Sequence, residues 1–524
     1  MASKIFMGDM PELMENILNN LSNESYSLYS CSLVSRHWCK MSIPTLWRDP
    51  FSFNQKPMFI SRYFSFLSDD DKFILNECGI IIDFPNTMFN YAKFLKVLDL
   101  SLLDDKVQEW IDSQIINLQK HISKYDIFNL LFKLFIESGA ILSKLDVHLT
   151  DVIIESEVFY SLGRNNLFFS RLQDISVEVA TELFGIGEAI TLLRILARNT
   201  TKINTLKLNI LNNESLMYRA VANIIKSQNQ LKRFDLICET ELHKEFYCIV
   251  SALESQRKSL QEIKIWNCDY STEFEVLMKC ENLKVVRIID CFEEKKLLNI
   301  LNTSLYNINT LEISSYAINS PDIIQILERS GLSLQRLKVY SEDHEICSQL
   351  VLLDTLITFC PNIMYLYISY IKFSPQLLKL INCLRKLQFL TLVWINDGSE
   401  DEMKERVMQL AKLLPQSLQY LNLGDIWVNS HIDILLNHCE APLKKLLFSI
   451  NYDNDYEKTI DALIRFCIRK KTLNDVNVSR YVNKTTYVFR FRISSVSNTN
   501  WKRVQKDLEG FVNLVPYESI VVDC

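Results

Sequence analysis

Glycine is scarce in this chain: 10 residues in 524, far below the ~7% of average usage. Loops that cradle phosphate need glycine where the backbone approaches the anion, and no G-x-x-x-x-G-K-S/T or G-x-G-x-x-G occurs. Gly185-Ile186-Gly187 is too short to count. H-E-x-x-H and G-x-S-x-G are missing too. Of the seven histidines only His431 and His438 could share a helix face, and no ligand-rich cluster surrounds them. Carboxylate pairs occur as they must in a long chain, and nothing singles one out for acid–base work. No catalytic residue, metal ligand or cofactor is therefore assigned, and an enzyme is not expected.

Other absences narrow the class further. The fourteen cysteines form no C-x-x-C pair, which argues against a zinc site or a compact disulfide framework. A net charge of −6 without long basic runs excludes nucleic acid as the expected partner. No apolar run reaches the ~18–20 residues of a membrane span; the greasiest stretch, Ile127 to Leu142, is broken by Lys133 and Glu137. The opening MASKIFMGD offers no apolar core for a secretory leader. These features predict a cytoplasmic or nuclear protein with reduced thiols and no membrane partner.

What is abundant is a repeat. From Leu142 onward the frame L-x-x-L-x-L recurs thirteen times, with Leu, Ile, Val or Phe at each apolar place. It runs from Leu142-Leu145-Val147, through Leu260-Ile263-Ile265 and Ile363-Leu366-Ile368, to Leu473-Val476-Val478, with middle residues 23 to 31 apart. Each frame is a strand signal followed by a helical one. A single unit cannot bury its own face, so neighbours must stack. The frame therefore predicts a leucine-rich-repeat solenoid, a curved parallel sheet with outer helices.

Punctuation agrees with that period. Asn319-Ser320-Pro321 before IIQILERS and Gly331 after it give a capping serine, an early proline and a terminating glycine. Ser374-Pro375 repeats the start, and Ser399-Glu400-Asp401-Glu402 reads as another helix start. Cys268 and Cys291 fall three residues after the last apolar place of their frames, where a buried thiol can satisfy the turn's backbone. Leu95-x-x-Leu98-x-Leu100 looks like a first, irregular repeat, and Gly79 to Phe84 like a buried strand. After Ser479 the frame stops: 486–493 alternates as a strand, Trp501 to Leu514 suits a helix, and Ile520-Val521-Val522 suits a last strand. An open solenoid end exposes core and sheet edge, so this tail is expected to be a cap.

The N-terminal stretch is different. Asp9 with Glu12 is a capping-box pattern and Pro11 suits a first helical turn. Leu13, Met14, Ile17, Leu18 and Leu21 then recur at the 3.6-residue period. A second short helix carries Leu28, Cys31 and Val34, a third carries Trp38 and Met41, and Leu46 and Trp47 close the unit. So small a unit buries only a small core. Two Trp side chains plus a full aliphatic stripe exceed what it can cover, which implies a docking surface.

The order Met10-Pro11-Glu12-Leu13, Ile17-Leu18, Leu21, Leu28, Val34-Ser35-Arg36-x-Trp38 and Leu46-Trp47 resembles the F-box. The usual pattern has Leu before the proline and Cys after the valine; Met10 and Ser35 stand there instead. Phe359-Cys360-Pro361-Asn362 resembles the helix-to-strand joint of F-box proteins with leucine-rich repeats. The resemblance implies an α/β repeat architecture in four parts: a three-helix F-box at 8–53, a helical linker with an irregular first repeat at 54–141, the solenoid at 142–480 and an α/β cap at 481–524. It also implies that a Skp-type adaptor binds through Met10, Pro11, Leu13, Ile17, Leu18, Leu21, Leu28, Cys31, Val34, Trp38, Leu46 and Trp47, and links the chain to a cullin–RING scaffold. The protein would then be a non-catalytic substrate receptor for ubiquitylation and proteasomal degradation. The alternative is an interaction scaffold without a ubiquitin-ligase role.

The cargo surface is expected on the strands' outward places. Lys207, Arg233, Lys264, Arg287, Arg336 and Lys338 fall there against Asp235, Glu262 and Glu312, beside Trp266, Tyr340, Tyr365 and Tyr367. Excess positive charge with aromatics suits an acidic or phosphorylated protein segment.

Overall fold

The computed structural model describes residues 10–53, 56–77, 87–114, 123–148, 153–179, 186–210, 215–238, 244–303, 307–342, 344–395, 398–424, 431–450, 456–480, 498–522 and 524. Asp9 and the strands expected at 79–84 and 486–493 lie outside them. The chain forms two compact units, Met1–Leu260 with Ser271–Cys280 and Gln261–Tyr270 with Glu281–Cys524. Fifteen parallel strands are described, five in the first unit and ten in the second, each set in chain order.

The first unit begins with α1 (Pro11–Asn20), α2 (Ser25–Ser32) and α3 (Arg36–Leu46). Pro11 opens α1, where its missing N–H costs nothing, but the N-cap residue is Met10, which offers no side-chain acceptor. Ser35 caps α3 by accepting the Trp38 N–H at 3.2 Å, which gives a structural use to the Ser at that motif position. Met14, Leu18, Leu28 and Trp38 form the core of this three-helix unit, with Leu21, Cys31, Met41 and Leu46 packed against it. Trp47 turns away toward the next segment, stacking on Tyr91 at 4.1 Å and meeting Tyr63 edge-on at 5.2 Å.

The repeats start with β1 (Val97–Asp99) and continue through β2 (Lys144–His148), β3 (Asp174–Val179), β4 (Thr205–Ile210) and β5 (Arg233–Cys238). Their register stacks Leu98, Leu145, Ile175, Leu206 and Phe234, all buried. From Leu145 on, these are the middle places of the sequence frame. Buried amides finish the turns: Gln228 accepts from Ile203 N and donates to Ile224 O, and Gln256 accepts from Leu231 N and donates to Ile225 O. Backbone groups at the joints thereby avoid burial without a partner.

The second unit holds β6 (Glu262–Trp266), β7 (Val285–Ile289), β8 (Thr310–Ser315), β9 (Arg336–Ser341), β10 (Tyr365–Lys372), β11 (Phe389–Ile395), β12 (Tyr420–Asn422), β13 (Lys445–Ile450), β14 (Asp475–Arg480) and β15 (Asn513–Leu514). Ile263, Val286, Leu311, Leu337, Leu366, Leu390, Leu421, Leu446 and Val476 align as its inner stack. Cys268 donates to Trp266 O and Cys291 to Ile265 O, the turn-closing use expected of those thiols. The described cysteines are free thiols.

Helix starts follow the sequence in part. Ser374 accepts from Leu377 N, and Ser399 with Glu402 completes a capping box. Ser320 instead donates to Cys347 O at 2.7 Å and does not cap its own helix. Gly331 has φ −58°, so it is not a left-handed terminator. It is needed for space: an added Cβ would lie 2.4 Å from Leu327 O and 2.5 Å from Phe359 O.

The tail also departs from expectation. Its helix ends at Asp507 and Gly510 takes φ 83°, which glycine alone adopts without strain. A strand then forms at Asn513–Leu514, pairing in parallel with β14. Pro516 starts a short helix, Tyr517–Ile520, so no strand forms at 520–522. There the Val522 backbone bonds to tyrosine hydroxyls and not to a ladder. Among the described residues, no helix is long and apolar enough to cross a membrane.

Candidate functional site

Two surfaces collect the residues singled out by the sequence. On the three N-terminal helices the apolar stripe divides. Leu18, Leu28 and Trp38 are internal, and Leu21, Cys31 and Leu46 are half-buried beside them. Leu13 and Ile17 are each 43% exposed, and Tyr26, Tyr29, Leu33 and Val34 are more exposed still. Pro11 is exposed and Met10 half-buried. Trp38 therefore holds the helices together, Trp47 holds them to the next segment, and the outward members are left bare. Tyr26, Tyr29 and Leu33 were missed in the sequence because the 3.6-residue stripe marks the core side; their signal is three large apolar residues at off-stripe positions.

The second surface is the outer strand face. In the first unit Asp146, Ser176, Lys207 and Asp235 share one rung. Asp146, Ser176 and Lys207 line a polar cleft of about 310 Å³ together with Lys144, His148 and Glu178. Arg233 forks onto Asp235 at 2.9–3.1 Å. These two of the expected cargo contacts, Lys207 and Arg233, belong to the first unit; the rest belong to the second.

In the second unit one rung reads Lys264, Arg287, Glu312, Lys338, Tyr367, Thr391, Asn422 and Leu447. Arg287 is ion-paired to Glu262 and, at 3.2 Å, to Glu312, which also holds Lys338 at 2.8 Å. Lys264 lies over Trp266, Arg336 over Tyr365 and Lys338 over Tyr367, at 4.5–5.5 Å. Tyr340 meets Tyr367 at 6.0 Å. The four cations of this unit expected to meet an acidic segment thus already have neighbours within the chain, two carboxylates among them.

Tyr365 was expected to face outward and be open; it is 1% exposed. Its hydroxyl donates to Val522 O at 3.1 Å, and Val522 N donates to the Tyr420 hydroxyl at 3.4 Å. Ile520 is fully buried against Tyr420 and Leu447, with Phe389, Val515 and Val522 around them. Further along the face, Arg287 donates to Cys524 O at 3.0 Å. The tail from Val515 to Val522, with Cys524, therefore lies on the outward places of the strands. Burial pushes the Tyr420 hydroxyl up to about 12, partly opposed by its bond with Val522. Burial likewise pushes the Cys524 thiol up to about 11, with Glu312 adding to the rise and Arg336, Arg287 and Lys338 opposing it. Phe389, Tyr420 and Leu447 are apolar at outward frame places, and that was the legible sign of a covered face.

Residues 11–52 match the family model described as F-box-like. The chain thus joins an F-box-like domain to a solenoid of leucine-rich-repeat type, the architecture of an F-box protein with leucine-rich repeats. No curated protein matches it. Solved structures that resemble it include a chain of the yeast Rad7–Elc1 complex, at TM-score 0.40 and 13% identity over 80% of this chain and 93% of that one. A chain of the TLR13–ssRNA13 complex has TM-score 0.33 and 15% identity over 75% and 55%. A leucine-rich-repeat protein of Leptospira interrogans reaches TM-score 0.28 and 14% identity over 76% and 93%. Among the described residues no group of three or more His, Cys, Asp or Glu is placed to hold a metal ion.

Proposed function

We propose that this protein is a non-catalytic substrate receptor of a cullin-based ubiquitin ligase. Its F-box binds a Skp-type adaptor, and its repeats hold a protein substrate for ubiquitylation. The observation that carries this reading is the set of large apolar side chains that α1 to α3 leave bare. A unit whose core is already closed by Met14, Leu18, Leu28 and Trp38 still exposes Leu13, Ile17, Tyr26, Tyr29, Leu33 and Val34. So many large apolar side chains left bare on so small a unit point to an interaction site. The F-box-like match over residues 11–52 supports an adaptor as the partner that such a face fits. The contribution to chemistry is proximity: anchor and cargo share one chain, so cargo meets the charged conjugating enzyme at high effective concentration.

Affinity purification of the full chain tests this. Adaptor and cullin should be recovered together, and adding conjugating enzyme and ubiquitin should modify a co-purifying protein. Recovery of the adaptor without a cullin would instead favour a scaffold role. Recovery of neither would remove the proposal.

A further inference from the structure

The outer strand face of the second unit has the wrong chemistry for an open surface and the right chemistry for a peptide groove. The C-terminal tail contacts it in two ways. The first is through main chain: Tyr365 donates to Val522 O, the Tyr420 hydroxyl accepts from Val522 N, Asn477 donates to Val515 O at 2.9 Å, and Arg287 donates to Cys524 O. Contacts of this type hold a backbone without reading its sequence. The second is through one fully buried side chain, Ile520, seated on Tyr420 and Leu447.

Beyond the seat the face changes character. At the outward rung places of β6 to β10, four cations (Lys264, Arg287, Arg336 and Lys338) stand against the two carboxylates Glu262 and Glu312. One of those cations, Arg287, reaches Cys524 O at 3.0 Å, and Glu312, Arg336 and Lys338 also act on the Cys524 thiol. An aliphatic seat is thus followed, four residues along the bound segment, by a region of net positive charge. Upstream of these contacts the segment is held by β15, which pairs with β14 over two residues.

We propose that this groove docks a short peptide segment of a protein partner, with an aliphatic side chain on Tyr420 and Leu447 and an acidic side chain three or four residues C-terminal to it. The chain's own tail is the resident occupant, which such a peptide displaces. This deepens the receptor reading by naming the class of cargo, and it rests on that reading only for calling the partner cargo. An occupant on the same chain lowers the apparent affinity of any incoming peptide by the fraction of time the groove is open.

The test uses the full chain and a fluorescent synthetic peptide of residues 511–524 carrying Cys524→Ser, with binding read by anisotropy. The unaltered chain should bind this probe weakly, and Ile520→Asp in the chain should improve binding about tenfold by releasing the resident segment. Adding Leu447→Asp to that chain should abolish the gain. A probe bearing Ile520→Asp should not bind, and one bearing Asp523→Asn should bind about fivefold less tightly. Equal binding by the unaltered and Ile520→Asp chains, or binding indifferent to Leu447→Asp, would overturn the proposal. If the Ile520→Asp chain does not melt cooperatively, Ile520→Ala supplies the same comparison with a gain of about threefold. No adaptor enters the measurement, so its failure leaves the F-box assignment standing, and a failed adaptor assay leaves this groove standing.

Discussion

Two apolar surfaces of this chain differ in one respect: the row of Tyr365, Tyr420 and Leu447 is covered by the chain's own residues 515–522, and the face of Leu13, Ile17, Tyr26 and Leu33 is bare. Sequence composition does not distinguish them, because each puts large apolar side chains at places that a repeat or a helical bundle points away from its core. What separates them is whether folding itself removes them from water. On the covered face that removal contributes to stability; on the bare face it is deferred to binding. Substitutions should therefore be felt as lost stability in one place and lost affinity in the other.

The largest effect belongs to neither face and calibrates both. Leu366→Asp puts a carboxylate into the fully buried inner stack, which should cost about 4 kcal/mol or more and abolish cooperative melting of the second unit. Next comes Leu447→Asp, an outward place that is 2% exposed under Ile520. It should cost about 2–4 kcal/mol in denaturant unfolding, whereas Lys207→Asp, an outward and exposed place in the first unit, should change stability by less than about 0.5 kcal/mol. Equal costs at Leu447 and Lys207 would erase the distinction between covered and open rungs. Tyr365→Phe keeps the ring and removes one hydroxyl donor to Val522 O. A loss of about 0.5–1.5 kcal/mol is expected, with faster amide exchange confined to 515–522. Smaller again than Tyr365→Phe is Tyr367→Asp, at a half-buried place beside Tyr340 and Lys338, for which a cost below about 1 kcal/mol in the same unfolding assay is expected.

The repeat was legible because its physical cause is local. A period-2 apolar pattern inside a 23- to 31-residue repeat has only one way to bury its face, and the middle places of the frame align in register within each unit, Leu145 to Phe234 and Ile263 to Val476. The F-box was legible from spacing, and the serine that departs from its usual pattern proves to cap α3. What escaped was long-range. Tyr365 is covered by residues 157 positions later, and nothing near Tyr365 in sequence encodes that. Trp38 was expected at a partner interface; in a three-helix unit this small the largest side chain is needed inside, so the core claims it. Gly331 was assigned to a helix stop, yet the constraint on it comes from Leu327 O and, across the joint, from Phe359 and Cys360 of the next repeat. Pairing of Arg287 and Lys338 with Glu262 and Glu312 likewise runs between strands, where a sequence scan sees charges but not partners.

The bare face is where the functional assignment stands or falls, and one titration addresses it. Purified Skp-type adaptor is titrated into the unaltered full chain and into Leu13→Asp/Ile17→Asp, with the melting temperature of each chain measured alongside. Because both side chains are 43% exposed, the double variant should melt within about 2 °C of the unaltered chain. Its adaptor affinity should fall about 30-fold or more, the loss of roughly 2–4 kcal/mol that central apolar anchors contribute to an interface. An unaltered chain that does not bind, or a double variant that binds equally well, would contradict the assignment of this face to an adaptor.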